Sequence, residues 1–134
     1  MPVVVKKEDG SVKYNFNWSA VSRGAPYITF SNLGIALNNS SIEMLGKPKK
    51  VIIGFDEEFC VIGIKSFDGE KGTKSFDFSS RVRNGWVRIG CRSFIKNLQA
   101  MLGIDFSSAK RFMAQYDRNK GILFVSLRDA DKLY

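Results

Sequence analysis

Residues 34–55 read GIALNNSSIEMLGKPKKVIIGF, and the same order of features returns later in the chain. The segment begins with a short alternating strand, Ile35-Ala36-Leu37, and passes through a short helical stretch that ends in Met44-Leu45-Gly46. Later in the chain, Val87-Arg88-Ile89 and Met101-Leu102-Gly103 take the same two places. A repeat of this kind predicts a pseudo-two-fold architecture, because neither copy buries its apolar face alone.

Each unit continues in the same way after its Leu-Gly pair. A basic stretch, Lys49-Lys50 in the first unit and Lys110-Arg111 in the second, leads into a strand and then a polar turn. The closing strands are Val61-Ile62-Gly63-Ile64 and Ile122-Leu123-Phe124-Val125. Short alternating runs bounded by turn residues indicate strands, so we expect a mainly β fold (β or α+β) with two short helices.

The length of 134 residues suits a single domain, which we divide into five segments. These are an N-terminal strand arm (1–26), repeat unit 1 (27–67), a linker (68–84), repeat unit 2 (85–128) and a tail (129–134). In the arm, Val3-Val4-Val5 and the alternating run from Val12 to Trp18 flank Asp9-Gly10, which predicts a β-hairpin. Within the linker, the alternation of Ser75-Phe76-Asp77-Phe78-Ser79 indicates a short extra strand.

Two helices are predicted, one in each unit. The first is short, because Gly46 closes it and Pro48 prevents its continuation, and we expect Asn39 or Ser40 to cap its N-terminus. The second runs from about Arg92 to Leu102 and turns an apolar face to the core. That face is made of Phe94, Ile95, Leu98, Met101 and Leu102.

Several classes of function lack their usual residues. The chain has no histidine and no phosphate-binding loop of the Gly-x-x-x-x-Gly-Lys-Ser/Thr type. Its two cysteines, Cys60 and Cys91, are too few for a disulfide scaffold or a metal site, and Asp56-Glu57-Glu58 is read as a solvated turn. We therefore expect no enzymatic activity, no cofactor and no metal. The N-terminus does not resemble a signal peptide and no apolar run is long enough to span a membrane, so a cytoplasmic location without membrane association is expected.

Most of the net charge of +8 lies in one part of the chain. Residues 78–120 carry nine Lys or Arg and two acidic residues, whereas residues 1–77 carry ten against nine. Concentrated positive charge favours an anionic partner, with nucleic acid first and an acidic protein or membrane surface after it. A basic surface that serves only solubility is the competing interpretation.

In its order of strand, tight turn, short helix ending in Leu-Gly, basic turn and hairpin, the chain resembles the AbrB/MazE/MraZ-like swapped-hairpin β-barrels. The residues that carry the resemblance are Gly34 to Asn38 and Leu45 to Val51 in the first unit, and Gly85 to Gly90 in the second. Two copies in one chain are most similar to the MraZ arrangement. The resemblance implies a barrel assembled from both units and DNA binding. The arginine that the family places just before the strand is Gly34 in one copy and Trp86 in the other.

Ten residues form the candidate nucleic-acid site. On an extended segment Arg81 and Arg83 would point to one side, and Arg88 would lie opposite the core-facing Val87 and Ile89. Arg92 and Lys96 are four apart and therefore share one side of the second helix. The basic pairs after the two helices, Lys49-Lys50 and Lys110-Arg111, take equivalent positions in the two copies. The full set is Lys49, Lys50, Arg81, Arg83, Trp86, Arg88, Arg92, Lys96, Lys110 and Arg111.

The leading hypothesis is a transcriptional regulator that contacts duplex DNA through this basic face. A second hypothesis is a protein-interaction module, such as an antitoxin-like or mobile-element accessory protein, whose N-terminal arm adds a strand to a partner. A third is single-stranded nucleic-acid binding, in which Trp86 and Tyr116 stack on unpaired bases. The two units can pair within one chain or between chains, so a homo-oligomer is one expected outcome.

Overall fold

A computed structural model of the protein describes residues 4–6, 12–14 and 24–128, which are mainly β with two short helices. The strands are β1 (Val4–Lys6), β2 (Val12–Tyr14), β3 (Tyr27–Ser31), β4 (Gly34–Leu37), β5 (Lys50–Asp56), β6 (Val61–Ser66), β7 (Ser75–Asp77), β8 (Val87–Gly90), β9 (Lys110–Met113), β10 (Gln115–Asp117) and β11 (Ile122–Ser126). The helices are α1 (Asn39–Met44) and α2 (Arg92–Leu102), and a 3₁₀ turn spans Ser79–Arg81. The predicted fold class is confirmed at this level.

The strands form three antiparallel sheets. β1 and β2 pair as a hairpin, in the place where the arm predicts one. Apart from residues 24–26, the rest of the predicted arm, including Trp18, lies outside the described residues, as does the tail. A five-stranded sheet has the order β10-β11-β6-β5-β7, and a four-stranded sheet has the order β8-β4-β3-β9. In neither sheet does the last strand pair with the first, so the predicted closed barrel is not confirmed.

The two larger sheets share one core. Strands of both sheets alternate between buried and more exposed residues, as in Ile28 and Phe30 of β3 or Ile62 and Ile64 of β6. Burying one such side chain stabilises the fold by roughly 1.5–3 kcal/mol. The buried residues of β3, β4, β8 and β9 and those of β5, β6 and β11 belong to the same cluster. The predicted linker contributes to it through Phe78, which is fully buried directly after β7.

The helices lie over this core with only part of their surface buried. Ile95 and Leu98 of α2 are fully buried, whereas Met101 is 51% exposed and was wrongly predicted to face the core. At 100° per residue, Met101 lies at the margin of the apolar stripe, where solvent reaches it. Both helices of the described residues fall short of the length and apolarity that a membrane-spanning helix needs.

The N-terminus of α1 is held by Asn38, and the prediction of Asn39 or Ser40 as its cap is wrong. Asn38 Oδ1 accepts hydrogen bonds from the Ser41 backbone N–H (3.1 Å) and hydroxyl (2.9 Å). The same oxygen accepts from the Tyr27 N–H at 3.0 Å, and Asn38 Nδ2 donates to the Ala25 carbonyl at 2.8 Å. One side chain therefore joins the start of α1 to the start of β3.

We expect Asn38→Ala to lower the free energy of unfolding by about 2 kcal/mol, because it removes a helix cap and leaves part-buried donors without an acceptor. The control is Asn39→Ala, since Asn39 is exposed and its amide makes one long contact, 3.4 Å from Glu43 Oε1. The control should change stability by less than about 0.5 kcal/mol. Urea unfolding followed by circular dichroism measures both, and equal losses would contradict the role of Asn38.

The contact between β4 and β8 leaves no room for a side chain at Gly34. Gly34 pairs with Gly90 in the antiparallel register, and its φ is +151°. A Cβ at Gly34 would lie 2.0 Å from the Ile89 carbonyl oxygen and 2.9 Å from the Cys91 nitrogen. At Gly90, a Cβ would meet no atom within 4 Å.

Gly34→Ala should therefore destabilise the protein by on the order of 3 kcal/mol or more, because backbone strain adds to the clash with β8. Gly90→Ala is the control, because it adds the same methyl group to the residue that pairs with Gly34, where there is room for it. This variant should leave the melting temperature nearly unchanged. Differential scanning calorimetry of the two variants tests this. A fall of about 10 °C is expected for Gly34→Ala alone, and similar melting temperatures for both variants would refute the close contact.

Candidate nucleic-acid interface

The outer face of the four-stranded sheet, opposite the core, carries a row of four residues in adjacent strands. Arg88 of β8 pairs with Ala36 of β4, Ala36 with Thr29 of β3, and Thr29 with Arg111 of β9. Residues two apart in a strand face alike, so the burial of Val87 and Ile89 places Arg88 on this outer face, as predicted. The row reads arginine, small residue, small residue, arginine.

Each arginine of the row lies against an aromatic ring. The Arg111 guanidinium carbon is 4.4 Å from the centroid of the Tyr27 ring, and that of Arg88 is 6.0 Å from the Trp86 ring. A guanidinium near an aromatic face is attracted by the ring and keeps N–H groups that can bind an anion. Cation and aromatic ring are thus paired at both ends of the row.

Three arginines and Trp86 line one cavity of about 260 Å³, which we call the arginine cavity. Its arginines are Arg81, Arg83 and Arg88, all of them exposed. The sequence predicted that Arg81 and Arg83 would point to one side of an extended segment. That premise is wrong, because Ser79–Arg81 forms a 3₁₀ turn, yet both side chains line the same cavity.

The walls of the arginine cavity are held by a tight hairpin turn. Arg83 and Trp86 exchange backbone hydrogen bonds of 2.8 and 3.0 Å across Asn84-Gly85, both of which have positive φ. An Asn-Gly pair with two positive φ values is typical of a type I′ turn. Arg83 Nη1 also donates to the Ser80 and Val82 carbonyls at 3.1 and 2.8 Å, which orients its guanidinium.

A second cavity, of about 380 Å³, adjoins the arginine cavity on the same face, and we call it the recess. Trp86 and Arg88 line both cavities. The recess is otherwise lined mostly by small or apolar residues, namely Thr29, Ser31, Leu33, Gly34, Ile35, Ala36, Ile89, Gly90 and Ala109. The outer face thus offers positive charge and an apolar hollow side by side.

The positive charge of this face is not neutralised within the described residues. The ion pairs found between residues 24 and 128 are Lys50–Asp77 at 3.9 Å and Lys65–Glu70 at 3.3 Å, and neither includes an arginine. No carboxylate lines the recess or the arginine cavity. A bound anion would therefore not compete with an internal carboxylate for these guanidinium groups, although Arg83 Nη1 is already engaged with the Ser80 and Val82 carbonyls.

The remaining predicted residues lie elsewhere. Lys49 and Lys50 precede or begin β5 in the other sheet, where Lys50 is paired with Asp77. Arg92 and Lys96 are exposed on α2, and Lys110 begins β9; none of these five lines the recess or the arginine cavity. The structure thus gathers Arg81, Arg83, Trp86 and Arg88, adds Arg111 across the sheet, and leaves the other basic residues outside the cluster.

The sequence reasoning missed the residues between the arginines. Thr29, Ala36 and Gly90 carry no charge, and they matter because the sheet places them beside the arginines: Thr29 and Ala36 pair with Arg111 and Arg88, and Gly90 follows Arg88 in β8. Tyr27 was also missed, since its contact with Arg111 depends on the pairing of β3 with β9. One local signal was present: the Asn84-Gly85 pair predicts the turn that brings Arg83 next to Trp86.

Other chemistry finds little support in the described part of the chain. No group of three or more His, Cys, Asp or Glu there is arranged to hold a metal ion. Cys60 and Cys91 are free thiols. Burial raises the pKa of the Cys91 thiol, so this group stays neutral at physiological pH and is a poor nucleophile. The expectation that the protein is not an enzyme stays a prediction.

Comparison with family models, curated proteins and solved structures finds no match to this chain. The resemblance to swapped-hairpin barrels is thus neither supported nor contradicted by relatives, and it stays a prediction.

Proposed function

We propose that the protein binds nucleic acid through the outer face of its four-stranded sheet. The observation that carries the proposal is the convergence of Arg81, Arg83, Arg88 and Trp86 on one cavity that no carboxylate lines. Guanidinium groups bind phosphate through two parallel N–H donors, and aromatic rings beside them stack on bases. These four residues belong to the ten that the sequence pattern predicts for this role.

The width of the face suits an extended anion better than a small one. Arg88 and Arg111 are separated by three steps between adjacent strands, which amounts to roughly 14 Å at about 4.8 Å per step. An anion with a single phosphate group cannot cover the whole length of this row. A chain of phosphates can, and its binding would depend steeply on salt because each contact releases counterions.

Transcriptional regulation and protein interaction, the other functions considered, do not rest on the geometry of this face. A role in transcriptional regulation through duplex DNA is implied by the sequence resemblance and stays a prediction. The interaction module would act through the N-terminal arm, most of which lies outside the described residues. We therefore propose nucleic-acid binding as the function that the geometry of the described residues supports best.

Strand registers support a related proposal, that the chain is built from two swapped copies of one unit. Ala36 and Arg88, the middle residues of the two opening strands, face each other, and so do Gly63 and Phe124 of the closing strands. A two-fold axis brings equivalent residues face to face in this way. In addition, β3 pairs with β9, and β7, which lies in the predicted linker, pairs with β5. The strand before each opening strand therefore pairs with the strand after the other unit's helix.

The double variant Arg81→Glu/Arg88→Glu should weaken nucleic-acid binding at least about 100-fold at low salt, because two phosphate contacts become repulsions. The measurement is fluorescence anisotropy with a labelled mixed-sequence 20-mer, both single-stranded and as duplex, across a salt series. For the form bound, the slope of log K against log salt should become shallower by about 1.5 to 2.

Arg118→Glu/Lys120→Glu is the matched control, because it makes the same charge change in the exposed turn between β10 and β11. The control should retain most of the affinity. If wild-type protein binds neither form, or if both double variants lose affinity equally, nucleic-acid binding by this face is wrong.

A further inference from the structure

We propose that the ligand of this face is single-stranded nucleic acid, with an unpaired base in the recess and a neighbouring phosphate in the arginine cavity. The inference rests on the proposed function and adds to it the type of strand and the place of the base. Duplex DNA, the expectation from the sequence resemblance, is the alternative that the experiment separates from it.

The lining of the recess fits the flat face of a base. Its floor includes Gly34, Ala36 and Gly90, which present little more than backbone and methyl groups. Leu33, which is 58% exposed, and Ala109 add further apolar surface. In a duplex, bases are stacked inside and phosphates cover the outside, so an apolar hollow would stay unfilled. A single strand exposes bases whose faces bind apolar and aromatic surfaces.

The recess has room for a base and polar groups for its edge. Its volume of about 380 Å³ lies within the range of roughly 300–1,000 Å³ that is usual for pockets that bind small organic ligands. Thr29 and Ser31 line it and bring two hydroxyl groups, which both donate and accept hydrogen bonds. Hydroxyl groups of this kind tolerate different bases, so we expect little sequence preference.

The two cavities are joined by shared residues. Trp86 and Arg88 line both, and the Arg88 guanidinium lies 6.0 Å from the Trp86 ring. A base in the recess thus has an aromatic ring at its margin, and the phosphate attached to the same nucleotide reaches the guanidinium groups of Arg81 and Arg83. In a duplex, pairing and stacking hold the base inside the helix, so a base and its phosphate can enter the two cavities together only where the base is unpaired.

The recess can be filled without altering the core, which makes the proposal testable. Gly90 lies on the outer face, lines the recess, and has no atom within 4 Å of the position of an added Cβ. Gly90→Leu should therefore occupy the space of the base and leave the arginine cavity in place. Gly54→Leu is the matched control, because Gly54 is also in a strand and open to a Cβ but belongs to the five-stranded sheet.

The experiment compares three labelled ligands with equal numbers of phosphates per strand: a 12-mer of thymidine, a 12-mer of abasic deoxyribose phosphate, and a 12-base-pair duplex. Fluorescence anisotropy at fixed salt should give wild-type affinity for the thymidine strand at least about 10-fold above that for the abasic strand and the duplex. Gly90→Leu should abolish the preference for bases while its affinity for the abasic strand stays unchanged. Gly54→Leu should behave as wild type.

Each other result has a distinct meaning. Equal wild-type affinity for the thymidine and abasic strands, or tighter binding of the duplex, would overturn base insertion while leaving the basic face as a nucleic-acid site. A full preference for bases in Gly90→Leu would overturn the recess as the place of the base. Absence of binding to all three ligands would overturn the proposed function itself. A 12-mer of uridine, run in parallel, distinguishes RNA from DNA as the strand bound, and a preference for bases with either sugar supports the proposal.

Discussion

The antiparallel contact between β4 and β8 is the constraint on which the rest of the structure depends. It joins the early and late parts of the chain into one four-stranded sheet, with Ile35 facing Ile89 and Leu37 facing Val87 above the shared core. The backbones approach so closely that a residue without a Cβ is required at Gly34. The Leu33 carbonyl accepts a hydrogen bond from the Cys91 N–H at 3.1 Å, which ties the turn before β4 to the start of α2.

The same contact generates the candidate site. Pairing Ala36 with Arg88 places a small residue beside an arginine, and pairing β3 with β9 repeats that arrangement at the other edge through Thr29 and Arg111. Because the residues in the middle of the sheet are small, the recess remains open between them. The 3₁₀ turn and the Asn84-Gly85 turn bring Arg81 and Arg83 to the adjoining arginine cavity. The proposed anion site therefore combines a local stretch, residues 81–88, which lines the arginine cavity, with long-range strand pairing, which adds Ala36, Thr29 and Arg111.

Local patterns were enough to predict much of the fold. Alternation identified the strands and the outward orientation of Arg88, and helical spacing identified α2 with the bounds that the structure has. Features that depend on distant residues were not predictable in this way. The cap of α1 is Asn38 because Tyr27 and Ala25 supply further partners, and Arg111 joins the site only through the register of β3 with β9. The 3₁₀ turn before Val82 has no periodic pattern from which it could be predicted. Arg92 and Lys96 share one side of α2, as their spacing predicts, but they do not line the arginine cavity.

The most direct test of the central claim is a titration of isotope-labelled protein with a thymidine 12-mer, followed by NMR. The indole N–H of Trp86 and the backbone amides of residues 83–90, Thr29 and Ala36 should shift together and saturate at one concentration of the strand. Amides in the turn between β10 and β11 should stay unchanged. Shifts confined to the five-stranded sheet, or the absence of any shift at Trp86, would show that the outer face of the four-stranded sheet is not the nucleic-acid site.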